Sequence, residues 1–394
     1  MVKTVVLIGS GNSAHVVAGL VHENTKGAWQ VVMLTRNPQL FTSKTVKVAL
    51  QDGTSRTGLI SKVTSKPAEA VPGADLVVWT GPVSSTKSVF EWIAPSVGAN
   101  TVVSTIFGQG LSHILAARVF GSAVKFVALR NIPWLCRCTE KGVSSEIVGA
   151  KTSIEVASLN VNQQWITENM QPLFWTPKGP VLNLEPDFCS IVFNPANQII
   201  HPAVYWGLFR SWNGVDPMKA LPNDGWLYRG MDAVAGGVLQ ALDEELQAVK
   251  NAFFDKTNMQ GCKSVLPIKT RILKQYTDQV KDASSMHGVV GTNVAYSMAK
   301  TPHVKVAGGV MPAPNHRVVQ DDIGWGLCVL VSIGDRLKVP TTTMKWLIQW
   351  HQTFMKKDFI RDGKLVGKDC AELILLAENE PLELVGGLAG KAKL

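Results

Sequence analysis

The sequence predicts an α/β protein with a Rossmann-type N-terminal domain, built on a mostly parallel sheet, and a largely α-helical C-terminal domain. Three observations predict this. Short apolar strands alternate with helical stretches in the first part of the chain. A glycine-rich turn directly follows the first strand. Beyond about residue 190, long helical periods replace the strand pattern.

The strands of the N-terminal domain are continuous apolar runs rich in β-branched residues, as expected for parallel strands covered on both faces. They are predicted at 4–8, 30–35, 74–80, 101–106 and 125–129, and 45–50 with 57–60 is predicted as a strand pair around the turn Asp52-Gly53. A helix over 13–22 follows the glycine turn, and further helical stretches separate several of the later strands. The alternation indicates a sheet with helices on both sides.

The second part of the chain reads as helical. The predicted helical periods are 198–212, 231–254, 264–282, 321–335 and 343–356. Proline and acidic residues in the segment LNLEPDF interrupt the periodicity, and the domain boundary follows near 187–191. We therefore predict a dinucleotide-binding domain over 1–190 and a helical substrate domain over 191–394.

Composition narrows the class of protein. The 394 residues are 46% hydrophobic and 18% charged, which suits two domains with separate cores. The net charge of +9 indicates either a solvated basic surface or a field that attracts small anions such as dinucleotides and keto acids. Dense Lys/Arg runs and zinc-finger spacings are missing from the sequence, so nucleic acid is not an expected partner.

Membranes and metals are not expected either. No apolar run approaches the ~20 residues that a bilayer-spanning helix needs. The six cysteines are scattered, which favours reduced thiols in the cytoplasm. Cys136 and Cys138 form a C-x-C pair, but no second pair or histidine cluster supports a metal site.

The turn after the first strand carries the motif G-x-G-x-x-A at Gly9, Gly11 and Ala14, with Asn12 opening the helix. Gly9 permits the tight turn, Gly11 lets a pyrophosphate approach the backbone, and the small Ala14 lets helix and strand pack closely. The free N–H groups of the helix N-terminus then face the phosphates. Strand–turn–helix context makes this a dinucleotide site. The alternative is a tight turn without a ligand.

Other cofactor contacts are expected at the carboxyl edge of the sheet. The second strand ends at Arg36 without the usual ribose-binding acid, so Arg36 could face a 2′-phosphate, which favours NADP. Stacking on adenine, or simple solvation, explains Arg36 equally well. Gly81 and Pro82 follow another strand and should lie near the nicotinamide. Gln109 follows the next strand, where it is either a site residue or an ordinary loop glutamine.

Three residues of the helical domain could carry acid/base chemistry. His201 precedes Pro202 in an apolar helical run, where it is either a structural histidine or a proton-transfer group suited to neutral pH. Asp322 could cap a helix over 323–334. Arg317 could clamp a carboxylate or form a surface ion pair.

Four segments together resemble the opine dehydrogenases of marine invertebrates, the group that includes octopine, tauropine, alanopine and strombine dehydrogenases. These segments are IGSGNSAH, PWLCR (133–137), HPAVYWG and VVQDDIGWG. The resemblance spans nearly the whole chain and keeps the order of the motifs. It implies a Rossmann domain plus a helical domain, acting as a monomer.

The resemblance also implies a reaction. NADH binds, pyruvate condenses with an amino acid, and the imine is reduced, which regenerates NAD in anaerobic glycolysis. His201 would be the acid/base, held by Asp322, while Arg317 would clamp a substrate carboxylate with help from Gln109. The family generally uses NADH without the ribose-binding acid, so NADH is the expected cofactor and NADPH the alternative.

One departure bears on the amino acid substrate. Arginine-using members carry an acidic residue just before the P-W-x-C-R segment, whereas this chain has Arg130 there. A cation at that position would repel arginine. We therefore expect Arg130 and Cys136 to contact a smaller or acidic-headed donor, such as alanine, glycine, β-alanine or taurine.

Two other functions fit parts of the pattern. A two-domain reductase of the ketopantoate reductase type shares the architecture but relies on a catalytic lysine, so the His201 segment argues against it. A dinucleotide-binding protein without turnover would not need the His201, Arg317 and Asp322 segments.

Overall fold

The computed structural model describes residues 2–195 and 197–387, which form two compact units. The first unit runs to Ile191 and includes Glu383–Gly387, and the second is Val192–Leu382. The sequence boundary placed everything after 190 in the second domain, whereas the described C-terminal residues return to the first unit. The cause is specific: His113 Nε2 lies 2.9 Å from the Leu384 carbonyl oxygen, and the Phe188 N–H bonds to the Gly386 carbonyl.

The described part of the first unit contains one eleven-stranded sheet in the order β11-β10-β7-β6-β5-β1-β2-β4-β3-β9-β8. The strands are β1 Lys3–Ile8, β2 Trp29–Leu34, β3 Thr45–Ala49, β4 Ser55–Thr64, β5 Leu76–Trp79, β6 Val102–Thr105, β7 Lys125–Leu129, β8 Trp134–Glu140, β9 Ser144–Ala150, β10 Ser153–Leu159 and β11 Val181–Leu184. The run from β7 to β4 is parallel, which confirms the predicted fold class.

Short helices connect these strands. They are α1 Asn12–Asn24, α2 Pro67–Ala70, α3 Thr86–Ile93, α4 Ser112–Phe120, α5 Gln163–Trp165, α6 Gln171–Phe174 and, at the end of the unit, α7 Cys189–Val192. Strands β1 and β2 pair directly, and β5 pairs with the opposite side of β1. The order in which strands are added to the sheet thus reverses at β1. Open α/β sheets bind ligands at such switch points.

The sequence pattern did not predict the strands after β7. The antiparallel pair β8–β9 extends one edge of the sheet, and β10 pairs antiparallel with β7 at the other. These strands alternate buried and exposed residues over only seven positions each, unlike the solidly apolar parallel strands. A search for continuous runs of apolar residues therefore does not detect these strands.

The second unit is mainly helical, as predicted. Its helices are α8 Asn197–Phe209, α9 Ala233–Thr257, α10 Ile268–Gln275, α11 Met286–Gly291, α12 Arg317–Asp322, α13 Cys328–Leu337 and α14 Thr342–Met355. Helix α8 packs on α9, α12 and α14. Two small ribbons interrupt the helices, formed by His303–Val306 with Gly309–Pro312 and by Ile360–Arg361 with Lys364–Leu365.

A π-helical turn, Ile323–Leu327, joins α12 to α13. It packs against α8 at Gly326, where a Cβ would lie only 2.6 Å from the Cβ and Cγ of Gln198. Only glycine fits this approach without moving a backbone. Single π turns inside helices often mark functional sites.

Further features of the described residues concern membranes, metals and thiols. Across 2–195 and 197–387, no helix combines the length and apolar character that crossing a membrane requires. The same residues contain no group of three His, Cys, Asp or Glu side chains arranged to hold a metal. The six cysteines are free thiols.

The contact at Gly326 yields a stability prediction. Gly326→Ala forces a methyl group into the Gln198 side chain, so we expect the free energy of unfolding to fall by about 1–3 kcal/mol. The matched control is Gly237→Ala, at an exposed position of α9 with open space around the added methyl. That change should be neutral or stabilising by up to about 1 kcal/mol. Denaturant unfolding of both variants measures the difference, and equal stabilities would contradict the packing argument.

Candidate active site

The first unit carries a candidate cofactor site at the turn between β1 and α1. Gly9 has φ +120°, in the region that favours glycine, and a Cβ there would lie 2.8 Å from Thr80 Oγ1. Thr80 in turn donates to the Ile8 carbonyl at 2.7 Å. The glycine is therefore required both by its own conformation and by the neighbouring strand end.

The space in front of this turn suits a pyrophosphate. A Cβ on Gly11 would meet nothing within 4 Å, so the backbone there is open to a ligand. Helix α1 begins without a side-chain cap and without an acidic residue in its first turn. Its N–H groups and positive dipole end are thus free for an anion. Ala14 is fully buried, as close packing of the helix on the sheet requires.

His15 fixes the shape of the same turn. Its ring is fully buried, with Nδ1 at 2.9 Å from the Gly11 carbonyl oxygen and Nε2 accepting the Gly142 N–H at 2.7 Å. This pattern requires a neutral ring with the proton on Nδ1. Burial lowers the pKa of His15 and so favours that form, although the Gly11 bond opposes the shift. Asn12 adds a second link, because its side-chain oxygen accepts the Cys138 N–H at 2.9 Å.

The other residues predicted to contact the cofactor lie at strand ends. Arg36 is exposed just after β2, and no acidic residue of the described chain pairs with it. Gly81 and Pro82 follow β5 and are accessible. Gln109 is buried after β6, with its amide nitrogen 3.4 Å from the Ile191 carbonyl oxygen. All of these follow the carboxyl ends of parallel strands.

The helical unit carries a separate candidate acid/base site. His201 on α8 and Asp322 at the end of α12 are 121 positions apart in the chain, yet His201 Nδ1 lies 2.7 Å from Asp322 Oδ2. Both side chains are nearly inaccessible, with exposures of 8% and 6%. A carboxylate can only accept, so Nδ1 donates and Nε2 becomes the nitrogen that exchanges protons.

Sequence reasoning missed Tyr228. Its hydroxyl lies 2.7 Å from His201 Nε2, on the side of the ring opposite Asp322. Burial and the nearby Asp322 carboxylate raise the pKa of Tyr228, so its hydroxyl stays protonated. The phenol ring packs on Tyr296 with centroids 4.7 Å apart. All four tyrosines of the chain lie in this unit, which was the one available signal.

The structure corrects one alternative for Asp322. The helix begins at Arg317 with His316 as its cap, since His316 Nδ1 accepts the Val318 N–H at 3.3 Å. Asp322 is therefore not the N-cap of a helix over 323–334, but a buried residue inside a longer helical segment. Arg317 is exposed at the start of α12, and its positive charge reaches Tyr228 and His316.

Arg130 and Cys136 lie in the first unit. Arg130 follows β7 and is buried, with its Nε 2.8 Å from a Glu155 carboxylate oxygen on β10. The sequence argument treated Arg130 as an isolated cation, whereas Glu155 pairs with it. Burial raises the pKa of the Cys136 thiol to about 11, so this sulfur is neutral near pH 7.

Comparison with known proteins agrees with this geometry. Residues 184–355 match the family described as NAD/NADP octopine/nopaline dehydrogenase, alpha-helical domain. The chain is 28% identical to octopine dehydrogenase of Mizuhopecten yessoensis, covering 94% of each chain. It is 25% identical to tauropine dehydrogenase of Arabella iricolor, covering 92% of this chain and 94% of the relative. A solved structure of octopine dehydrogenase with NADH and pyruvate has a TM-score of 0.81 at 25% identity and covers 94% of each chain.

A glycine turn open to a pyrophosphate, together with a helical unit that buries a His–Asp pair, defines a two-domain NAD-dependent oxidoreductase. The motif order and the matches over nearly the full chain then narrow the class. The chain is an NAD-dependent oxidoreductase that acts on CH–NH donors, and it is similar over nearly its full length to opine dehydrogenases.

The His15 geometry predicts how NADH binding depends on pH. Burial favours neutral His15, so its contribution to the shape of the turn is complete above the ordinary pKa of 6.5 and is lost as the pH falls through the lower folded value. His15→Phe keeps the ring packed on Phe41 but removes both hydrogen bonds. We expect the Kd for NADH to rise at pH 7.5 by up to about thirtyfold, since the two lost bonds are worth roughly 1 kcal/mol each.

Quenching of tryptophan fluorescence measures this Kd, and the wild-type Kd should rise as the pH falls below 6.5 through the lowered pKa of His15. His15→Phe should lack that acid-dependent rise. His22→Phe, at the far end of α1, is the control and should bind NADH like the wild type. If His15→Phe bound NADH with the wild-type Kd both at pH 7.5 and at acid pH, the role of His15 would be refuted.

Proposed function

We propose that this protein reductively joins pyruvate to a small or acidic-headed amino acid, using NADH. The observation that carries the proposal is the buried bond between His201 and Asp322, which supplies an oriented acid/base in a unit that matches the opine dehydrogenase helical domain. The octopine dehydrogenase complex with NADH and pyruvate supports the choice of cofactor and keto acid.

The residues of the first unit that would hold NADH are those of the glycine turn. Gly9 and Gly11 would admit the pyrophosphate, and the α1 N-terminus would bind it. Arg36 would lie over the adenosine end, and Gly81 with Pro82 beside the nicotinamide. When bound, NADH supplies the hydride that reduces the imine carbon.

His201 moves protons in the condensation. The amino group attacks the pyruvate carbonyl carbon and loses two protons as the C=N bond forms, and the carbonyl oxygen leaves as water with two protons gained. We assign this transfer to His201 Nε2, which accepts each proton from the nitrogen and passes it to the oxygen, while Asp322 stabilises the imidazolium formed in between. Arg317 would hold the pyruvate carboxylate with its planar fork, and Gln109 would donate a further hydrogen bond.

Tyr228 is a positioning residue in this scheme. Its hydroxyl occupies Nε2 and holds the ring in one orientation, with Asp322 on the opposite nitrogen. The histidine is thus fixed from both sides before substrate binds. A preorganised base of this kind loses little activity to reorientation during the reaction.

The primary test is a donor panel. We expect NADH to be oxidised only when pyruvate and an amine are both present, with alanine, glycine, β-alanine or taurine used in preference to arginine. Loss of NADH absorbance follows the reaction, and NADPH in place of NADH tests the alternative cofactor. Oxidation with a keto acid and no amine would reassign the chain to the keto acid reductases. Arginine as the best donor would refute the charge argument at Arg130.

The proton-transfer assignment has its own test. His201→Gln should lower kcat about 10²- to 10⁴-fold, the usual contribution of a general acid/base. Tyr228→Phe should lower kcat only about three- to tenfold, because it removes one hydrogen bond of roughly 1 kcal/mol. The double variant should be no slower than His201→Gln alone, since Tyr228 acts through His201.

The control for these variants is His303→Gln, in a ribbon of the same unit, where the ring bonds only to the Thr301 carbonyl. It should retain wild-type kcat. Additive losses in the double variant would show that Tyr228 acts independently of His201. Undiminished turnover by His201→Gln would remove the acid/base assignment altogether.

A further inference from the structure

Helix α8 carries a second buried polar residue, one turn before His201. Gln198 and His201 are three positions apart in this helix, so they share one of its faces. Side chains of a helix lean towards its N-terminus, so the His201 side chain points over the turn that holds Gln198. Gln198 itself is only 2% exposed.

The same face of α8 packs against the segment that runs from α12 into the π turn. Asp322 bonds to His201, and Gly326, four positions later, lies against Cβ and Cγ of Gln198. Packing thus fixes the stem of Gln198, as the hydrogen bond fixes the imidazole. The glutamine is held in place beside the proposed acid/base group.

The end of the Gln198 side chain lacks a partner. Within the described part of the chain, no group donates a hydrogen bond to Gln198 Oε1, although this oxygen is buried. A buried amide oxygen without a donor costs free energy, and nearly all buried polar atoms of native proteins are bonded. The oxygen therefore calls for a donor that the protein does not supply.

The main chain of Gln198 offers a second acceptor. In an α-helix the carbonyl oxygen of residue 198 would accept the N–H of residue 202. That residue is Pro202, which lies inside α8 and has no N–H. The Gln198 carbonyl thus lacks its helical donor, and two oxygens of one buried residue call for N–H groups.

We propose that Gln198 binds the amino group of the amino donor through Oε1 and its main-chain carbonyl oxygen. The inference rests on the proposed function and assigns the residue that holds its second substrate. A primary amine has two N–H groups and one lone pair. When Gln198 accepts both N–H groups, the lone pair is free to attack the pyruvate carbonyl carbon. His201, one turn away, then accepts the protons that the nitrogen loses.

The chemistry of the two oxygens selects among the ligands of the reaction. The carboxylate and keto oxygens of pyruvate are acceptors only, so neither can bond to them. The nicotinamide carboxamide has two N–H groups, but it belongs to the cofactor that the glycine turn of the first unit is proposed to hold. Its Kd is measured separately below, which distinguishes the cofactor from the amine.

The first test compares Gln198→Met with Gln198→Glu and Gln240→Met. Methionine keeps an unbranched stem against Gly326 and removes the amide, whereas glutamate keeps an acceptor oxygen on a stem of the same length. Gln240 is exposed on α9, so its replacement removes an amide outside the site. Each variant is characterised by its KM for the best donor of the panel, its KM for pyruvate and its Kd for NADH.

We expect Gln198→Met to raise the donor KM at least about tenfold and to leave the other two constants within about twofold of wild type. Gln198→Glu should keep the donor KM within about threefold, because a carboxylate also accepts N–H groups. Gln240→Met should match the wild type. The unfolding temperature of Gln198→Met should not fall, since an unpartnered buried amide adds no stability.

Three results would overturn the proposal. The first is an unchanged donor KM in Gln198→Met. The second is a raised Kd for NADH with an unchanged donor KM, which would assign the oxygens to the carboxamide. The third is an equal rise of all three constants with a lower unfolding temperature, which would make Gln198 a structural residue.

Pro202→Ala tests the main-chain oxygen and serves if Gln198→Met does not fold. Alanine returns the missing N–H to the Gln198 carbonyl, so this oxygen is no longer open to the amine. We expect the donor KM to rise about threefold or more, with the KM for pyruvate unchanged. An unchanged donor KM would remove the main-chain oxygen from the proposal.

A binding measurement keeps this inference separate from the proposed function. Absence of wild-type turnover with every donor would refute the proposed function alone. Calorimetric titration of the NADH-bound protein with β-alanine and with butyrate, in which a methyl group replaces the amino group, then decides the role of Gln198. The wild type should bind β-alanine at least about tenfold more tightly than butyrate, and Gln198→Met should lose that preference. A wild type without the preference, or a Gln198→Met variant that keeps it, would overturn the proposal.

Discussion

The bond between His201 and Asp322 is the constraint around which the helical unit is organised. It joins α8 to the end of α12, and beside it Gly326 lets the following π turn lie directly on Gln198. The turn keeps Asp322 inside a continuous helical segment, where the carboxylate is buried and faces the imidazole. Tyr228 then closes the other side of the ring. A buried histidine with both nitrogens bonded is held rigidly, and rigidity is what an acid/base group needs.

The first unit differs in how completely its charged groups are paired and shielded from water. In the helical unit every group of the histidine network has a partner, so burial adds little cost. At the end of β7, by contrast, the buried Arg130 pairs with Glu155, whose side chain is 32% exposed, so solvent reaches that ion pair. The network around His201 is thus shielded from water, and the pair at β7 is only partly shielded.

The sequence predicted those features that are local in the chain. The glycine turn is recognisable because Gly9, Gly11 and Ala14 act through backbone conformation within one βα unit. The parallel strands are recognisable because burial on both faces makes them continuously apolar. The half-buried strands from β8 onwards lack that signature and were missed.

The contacts that decide chemistry are not local. Neither Tyr228 nor Glu155 lies near its partner in sequence, and no periodicity links Tyr228 to His201 or Glu155 to Arg130. Resemblance to a family supplied His201 and Asp322, which local patterns alone could not assign. Arg130, which we propose selects the donor, and His201, which we propose transfers the protons, are carried by different units. On the proposed function, a charge change at Arg130 would alter the accepted amino acid while the His–Asp–Tyr network stays intact.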